Sequence, residues 1–477
     1  MENRSIYRNI SPLDHRYYQS NKELFDRLSD RLSEEASVAY CVKAEMALLK
    51  THIKLQKLGD DTLIASLDEV EKSITPEEVY IEEEKTQHNI RALVNVINKK
   101  VPEELKPWVH MGATSVDILD TSNAMRMRDV TRDVMIPLLM ELEEELIRMA
   151  DQEAETPQVG RTHGQHAVPV TLGFAMAEYV SRLGQSIEEL ERLSANQRGK
   201  LAGAVGGYNA TSMISSDPLA MEEMYLDYLG LKPSEYSTQM VEPEYLLRLL
   251  LEYNTAFGVI ANLADDLRHL QRSEIDEVRE FFSATQVGSS TMPQKRNPWN
   301  CEHVKSLWKA FAPRVMTFYM DQISEHQRDL SNSASARFQA DYIAGLAAAT
   351  ARMKKIVAGL AVNKEQLRKN LTAGGDFVLA EPTYILLAMS GVNGAHEIVR
   401  KITLSCEQTG KTIKEVLQEE EKDSWDRISS QLKKVSGLDA EAFYSDPSLY
   451  RGKTAEKTRT LCVKYTNSLK SIRNKLV

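Results

Sequence analysis

The sequence predicts an all-α fold: three helical domains, with long helices bundled in the central one. Two apolar stripes and one absence carry that expectation. Leu246, Leu250, Tyr253, Phe257, Ile260, Leu263, Leu267 and Leu270 recur at threes and fours, the spacing that lines up side chains on one helix face. Met135, Leu139, Leu142, Leu146 and Met149 repeat the pattern. Strand signals are few, with no sustained alternation and few Val, Ile or Thr runs.

Residues 1–112 are mixed and polar and read as short helices. Residues 113–362 hold the long helices, and 363–477 return to shorter ones, with a mostly acidic surface run at Glu419 to Asp423. Pro137 kinks or starts the helix of the Met135 stripe. A helix as long and apolar as that of Leu246 to Leu270 belongs in the middle of a bundle or at a subunit interface. Ala340 to Leu360 reads as another long helix, rich in Ala for close approach. Glycine breaks fall at Gly203 to Gly207, at Gly288 and at Gly374-Gly375, and functional loops sit at such breaks.

Composition bounds the function. The 477 residues are 42% hydrophobic and 27% charged, ordinary for a soluble globular chain, and the net charge of -10 argues against nucleic-acid or acidic-membrane partners. Met1 to Ser5 carries no apolar signal region, and no run of 18 apolar residues occurs, so neither a signal peptide nor a membrane span is expected. Cys41, Cys301, Cys406 and Cys462 lack paired spacing and read as free thiols in a reducing cytoplasm. His163 and His166 lie three apart without a clustered third ligand, so no metal is expected. Gly410-Lys411-Thr412 lacks the earlier glycine of a P-loop, and no GxGxxG stands in a βαβ pattern, so no cofactor is expected.

The most informative stretch is Gly288-Ser289-Ser290-Thr291-Met292-Pro293-Gln294-Lys295-Arg296-Asn297-Pro298. Small hydroxyls beside a glycine, then a Lys and an Asn behind a proline, suit a loop whose N–H groups wrap an anion. Four more polar clusters border helical segments: Thr86-Gln87-His88-Asn89, His110 to Asp117, Gly160-Arg161-Thr162-His163-Gly164-Gln165-His166, and Gln327 to Arg337.

Together these motifs resemble the adenylosuccinate lyases of the fumarase/aspartase superfamily, from Ser11-Pro12-Leu13-Asp14-His15-Arg16-Tyr17 to about Pro382. The resemblance implies a β-elimination that releases fumarate from adenylosuccinate and from the succinylated carboxamide ribotide of purine synthesis. It also implies a cofactor-free homotetramer with active sites shared between subunits. Such a reaction needs a base for a weakly acidic C–H, donors around a carboxylate gaining charge, and an acid for the leaving nitrogen.

An imidazole titrates near neutral pH, so His163 suits the acid, and the resemblance assigns it that role, with Thr162 beside it. The residues alone leave the base at either Ser289 or Ser290; the resemblance places it at Ser289 and makes Ser290, Lys295 and Asn297 substrate ligands. His88 resembles a second active-site histidine, followed by Asn89 where many relatives carry Asp. Gln294 stands where many carry His or Tyr. His110, Thr114 and Ser115 resemble a carboxylate site, although Thr114 or Ser115 also suits a helix N-cap. Arg328, Ser333 and Arg337 resemble a phosphate site, completed by Arg16 and Tyr17; two guanidinium groups and a hydroxyl match a phosphomonoester. The plainer reading of Arg328 is a surface ion pair with Asp329. Gln239 resembles a substrate amide or carboxylate ligand. Glu302 resembles a supporting carboxylate that bonds a catalytic histidine, or simply favours a helix start.

The nearest rivals are argininosuccinate lyase and carboxymuconate cycloisomerase, whose substrates lack phosphate. A catalytically silent helical relative is the rival from another class.

Overall fold

The computed structural model describes residues 5–282, 291–292 and 294–476. In chain order, the elements that position the candidate site begin with helices α1 (Glu34–Gln56), α2 (Asn89–Asn98), α3 (Ser115–Val130) and α4 (Ile136–Gln152). Strands β1 (Pro157–Thr162) and β2 (Gln165–Thr171) follow. Then come α5 (Leu172–Ser194), α6 (Pro218–Asp227), α7 (Glu244–Leu270), α8 (Trp299–Phe311), α9 (Gln339–Ala358) and α10 (Thr454–Leu476). The fold is all-α, with short two-stranded pairings only among the described residues.

Both predicted stripes face inward. Leu250, Tyr253, Phe257, Ile260, Leu263 and Leu267 of α7 are buried, and so are Leu139, Leu142, Leu146 and Met149 of α4. They meet α5, α8 and α9 in one apolar core, where each large side chain contributes roughly 1.5–3 kcal/mol. Of the two places expected for the α7 stripe, the structure supplies the first: it is used inside the chain's own bundle. The tyrosines within this core are satisfied. Tyr253 shares a 2.6 Å hydrogen bond with Thr131, and Tyr342 donates to the Leu250 carbonyl at 3.1 Å.

A π-helical turn, Thr131–Met135, joins α3 to α4 without a break. Pro137 is the second residue of α4. Its ring nitrogen has no hydrogen to offer the Asp133 carbonyl four residues back, and the Arg27 guanidinium donates to that carbonyl instead.

A second core joins α1, α2, the first half of α3 and α6, and a third lies within residues 379–444. The chain then returns. Cys462, Tyr465, Leu469 and Ile472 of α10 enter the first core against α4 and α5. Gly184 makes this approach possible, because a Cβ there would lie 2.2 Å from the Tyr465 ring. All four cysteines are buried and unpaired. No helix among the described residues is long and apolar enough to cross a membrane.

Candidate active site

His88 stands at the N-cap of α2. Its Nδ1 accepts from the Arg91 N–H at 3.3 Å, and its ring is exposed. The preceding Gln87 has φ of +50° and turns the chain out of the helix before it. Asn89 accepts from the Ile90 N–H at 2.8 Å, a local bond that leaves His88 without a carboxylate from that neighbour. Arg91 also acts electrostatically on His110, which ties this helix end to the next motif.

His110 has a left-handed backbone, with φ of +60°, a conformation uncommon outside glycine. Two side chains of α1 hold its loop. The Glu45 carboxyl lies 2.7 Å from His110 Nδ1, and His52 Nε2 lies 2.9 Å from the Met111 carbonyl. Burial alone pushes the His110 imidazole toward its neutral form, but the Glu45 hydrogen bond and charge outweigh that, so its pKa is raised. Thr114 occupies the N-cap of α3 and Ser115 its first turn, both half-buried.

The first turn of α3 is also an anchor for a loop. Asp117 and Lys200 form a fully buried ion pair, and Asp117 accepts further hydrogen bonds from the N–H groups of Thr114, Ala202 and Gly203. This fixes the glycine loop that follows Lys200. Gly206, at φ of +76°, lies so close to Ser237 that a Cβ would sit 1.8 Å from the Ser237 carbonyl oxygen. Gln239 follows, and its N–H donates to the Gln327 carbonyl at 3.1 Å, linking two of the predicted motifs.

Arg328 also has an unusual backbone, with φ of +81°. Its guanidinium donates to the carbonyls of Asp321 (3.0 Å) and Gln322 (3.3 Å), while its Nε is buried without a partner among the described residues. The plainer ion-pair reading fails here. Asp329 instead accepts from the Glu325 N–H and from Ser331. Ser333 and Arg337 are exposed on the same segment, whereas the hydroxyls of Ser331 and Ser335 pair internally, with Asp329 and Asp321. Asp120, in α3, accepts from the Val241 N–H at 2.8 Å. Burial pushes its pKa up to about 6, opposed in part by Lys200 and Arg328.

Thr162 and His163 sit on a hairpin, a strand pair that the sequence did not announce. His163 and Gly164 form its two-residue turn, at φ of +56° and +77°, the left-handed pair that suits strand twist. A bulge opposite Gly160, where Ala167 and Val168 face that one residue, interrupts the register. The hairpin is clamped from below by Glu277. This buried carboxylate accepts from Gln158 (2.7 Å), twice from Arg161 (2.6 and 3.1 Å) and from Asn370 (2.9 Å). His163 itself is exposed, and no described residue bonds its ring.

Ser289 and Ser290 lie outside the described residues. Beyond them Gln294 and Lys295 are exposed and Asn297 is half-buried. Glu302 lies in the first turn of α8 and is exposed. The next residue was missed by sequence reasoning. His303 Nε2 is 2.8 Å from the Tyr17 hydroxyl, and its ring stacks on Trp299 at 5.4 Å. Burial and then Arg352 lower the His303 pKa, while burial raises that of Tyr17. Both shifts favour the neutral forms, so one hydrogen bond joins the Tyr17 hydroxyl to a neutral imidazole, and adjacent Arg16 is left exposed. Its position beside Glu302 was the one available signal. Glu45 and Glu277 were missed too, as acids inside otherwise ordinary segments.

The single chain thus gathers His88, His110 and Thr114 near one end of α2 and α3, and Gln239 beside the Arg328 segment. Tyr17 meets the first turns of α8. No hydrogen bond or ion pair among the described residues joins His163 to any of them. Nor do three or more His, Cys, Asp or Glu side chains among the described residues converge as metal ligands.

Comparison with known proteins identifies the family. Residues 15–315 match the family model described as Lyase, and residues 324–439 the one described as Adenylosuccinate lyase C-terminal. The first match alone sets the chain among the lyases. The chain is 32% identical over 417 residues to the adenylosuccinate lyase of Pyrococcus abyssi, covering 86% of this chain and 90% of that protein. It is 32% identical over 405 residues to that of Aquifex aeolicus, covering 82% and 89%. It belongs to the adenylosuccinate lyase family. In fold it is similar to the crystal structure of 3-carboxy-cis,cis-muconate lactonizing enzyme from Pseudomonas putida, with a TM-score of 0.77 at 23% identity, covering 96% of this chain and 100% of that one. A fumarate lyase from a Mesorhizobium species gives 0.76 at 21%, covering 92% and 97%.

Proposed function

We propose that this chain is a cytoplasmic enzyme of purine biosynthesis that cleaves adenylosuccinate to AMP and fumarate, and the succinylated aminoimidazole carboxamide ribotide to its ribotide and fumarate. The observation that carries the reading is similarity to adenylosuccinate lyases along most of the chain. In the proposed mechanism Ser289 takes the proton from the carbon β to the nitrogen. Lys295 and Asn297 hold the carboxylate that gains charge in the carbanion. The C–N bond then breaks, its electron pair leaves on nitrogen, and His163 protonates that nitrogen. His88 assists at the leaving group, with Asn89 and Thr162 beside the two histidines. His110, Thr114, Ser115, Gln239 and Ser290 bind the substrate's polar groups, and Glu302 supports a histidine.

Arg328 supports a phosphorylated substrate over the phosphate-free substrates of argininosuccinate lyase or carboxymuconate cycloisomerase. Its buried Nε lacks a partner among the described residues, and its backbone is strained in the manner of a ligand clamp. Ser333, Arg337, Arg16 and Tyr17 complete the group.

The reading includes a homotetramer with shared sites. His88, His163, Lys295 and Arg16 are all exposed on one chain, whereas an acid that must protonate a leaving nitrogen works best with water excluded. A neighbouring copy supplies the missing cover. The test is the absorbance change on mixing purified protein with adenylosuccinate. No conversion at high enzyme concentration sinks the reading, and so does equal activity on an unphosphorylated analogue.

A further inference from the structure

The Glu45–His110 contact stands apart from the residues already given roles. Glu45 comes from α1, 65 positions before His110, and its side chain is fully buried. One oxygen faces His110 Nδ1, and the other has no hydrogen-bond partner among the described residues. Leaving a buried carboxyl oxygen unpaired costs free energy, so the arrangement is not explained by packing alone. The groups that act on this pair come from several helices. Arg91 of α2 and Asp117 of α3 act on His110, while Cys41 of α1 and Tyr225 of α6 feel Glu45. Among them Arg91 is the cation, and its influence opposes protonation of His110. Among the described residues Glu45 is the one carboxyl in direct contact with the ring.

We propose that Glu45 is a positioning residue, which ties down Nδ1–H of His110 so that the protonated imidazole turns its Nε2–H toward a substrate carboxylate. The inference rests on the lyase reading for the identity of that carboxylate. A carboxylate behind a histidine fixes ring orientation and favours the imidazolium. Among the described residues the His110 ring has no other hydrogen bond, so the Nε2 edge is available. His52, about two turns further along the same face of α1, holds the loop at Met111 without touching the ring.

The experiment uses the full-length protein with isotope-labelled histidine. His110 is titrated by NMR in the unmodified protein, in E45Q and in H52Q, and KM and kcat are measured across pH. In the unmodified protein His110 should appear with its proton on Nδ1 and titrate above an exposed histidine; a midpoint at or below that of exposed histidine overturns the proposal. E45Q should lower the midpoint and raise KM at neutral pH by about tenfold, with a smaller change in kcat and with recovery of KM as pH falls. An unmoved midpoint, or an unmoved KM despite a moved midpoint, overturns it. So does an equal shift in H52Q, which would assign the effect to loop placement. The NMR arm reads the pair even if adenylosuccinate is not turned over, so failure of the lyase reading and failure of this one are distinguishable.

Discussion

Lys200 and Asp117 form an ion pair with neither side chain exposed. Lys200 also donates to the Gly203 carbonyl at 3.1 Å, so one ammonium joins the start of α3 to the glycine loop beside Gln239. Replacing Lys200 by Met removes the cation and leaves a buried carboxylate with backbone donors only. Stability should fall by about 3–5 kcal/mol, read from denaturant unfolding at fixed protein concentration. A loss below about 1 kcal/mol refutes the anchoring role.

Gly184 tests how α10 docks. Its missing Cβ is the space into which Tyr465 packs. Gly184→Ala should improve α5 as an isolated helix yet destabilise the protein by about 1–3 kcal/mol. Gly258 is the control, because nothing lies within 4 Å of a Cβ there; Gly258→Ala should be neutral or stabilising. Equal unfolding midpoints for the two variants would contradict the close contact.

Asp120 gives a pH signature. Its folded pKa is about 6 against an ordinary 3.8. The sign follows from linkage: between these values the unfolded chain has released the proton while the native chain keeps it, so stability falls as pH rises through that window. Below about pH 4 the residue costs nothing, and above about pH 6 the cost is complete. Asp120→Asn should therefore match the parent near pH 4 and exceed it at pH 8 by about 1–2 kcal/mol. A constant difference across that range is the contrary result.

Arg328→Ala should weaken phosphorylated substrates far more than it disturbs folding. Steady-state kinetics would show KM rising about tenfold or more, and an unchanged KM removes Arg328 from the phosphate site. The segment also carries Ser335 bonded to Asp321, so the fold there does not depend on the guanidinium alone.

Ser289→Ala should abolish turnover while calorimetry still detects adenylosuccinate binding. A near-normal rate moves the base to another group, Ser290 first.

The long helices α4 and α7 were legible because burial imposes a 3.6-residue period on sequence, whereas α9 showed through its alanine content and is buried all round from Gly345 to Ala351. The hairpin of His163 was not legible, since its bulge opposite Gly160 and its polar tip erase alternation. Its two turn residues, His163-Gly164, are the trace it leaves. The site motifs were readable as resemblances, but their supports were hidden. Nothing local ties Glu45 to His110, Glu277 to Arg161 or Lys200 to Asp117, because each pair meets only after the helices fold. Tertiary partners of an acid or base carry no periodic signature.

The return of α10 has a consequence for biogenesis. Ile472 belongs to the same core as Leu139 and Leu183, so that core lacks a wall until α10 has left the ribosome. A nascent chain halted at 450 would display an apolar seam between α4 and α5, the kind of surface that chaperones bind and proteases sense. Quality control of this protein is thereby tied to the arrival of α10, since a product that stops short of it cannot conceal that seam.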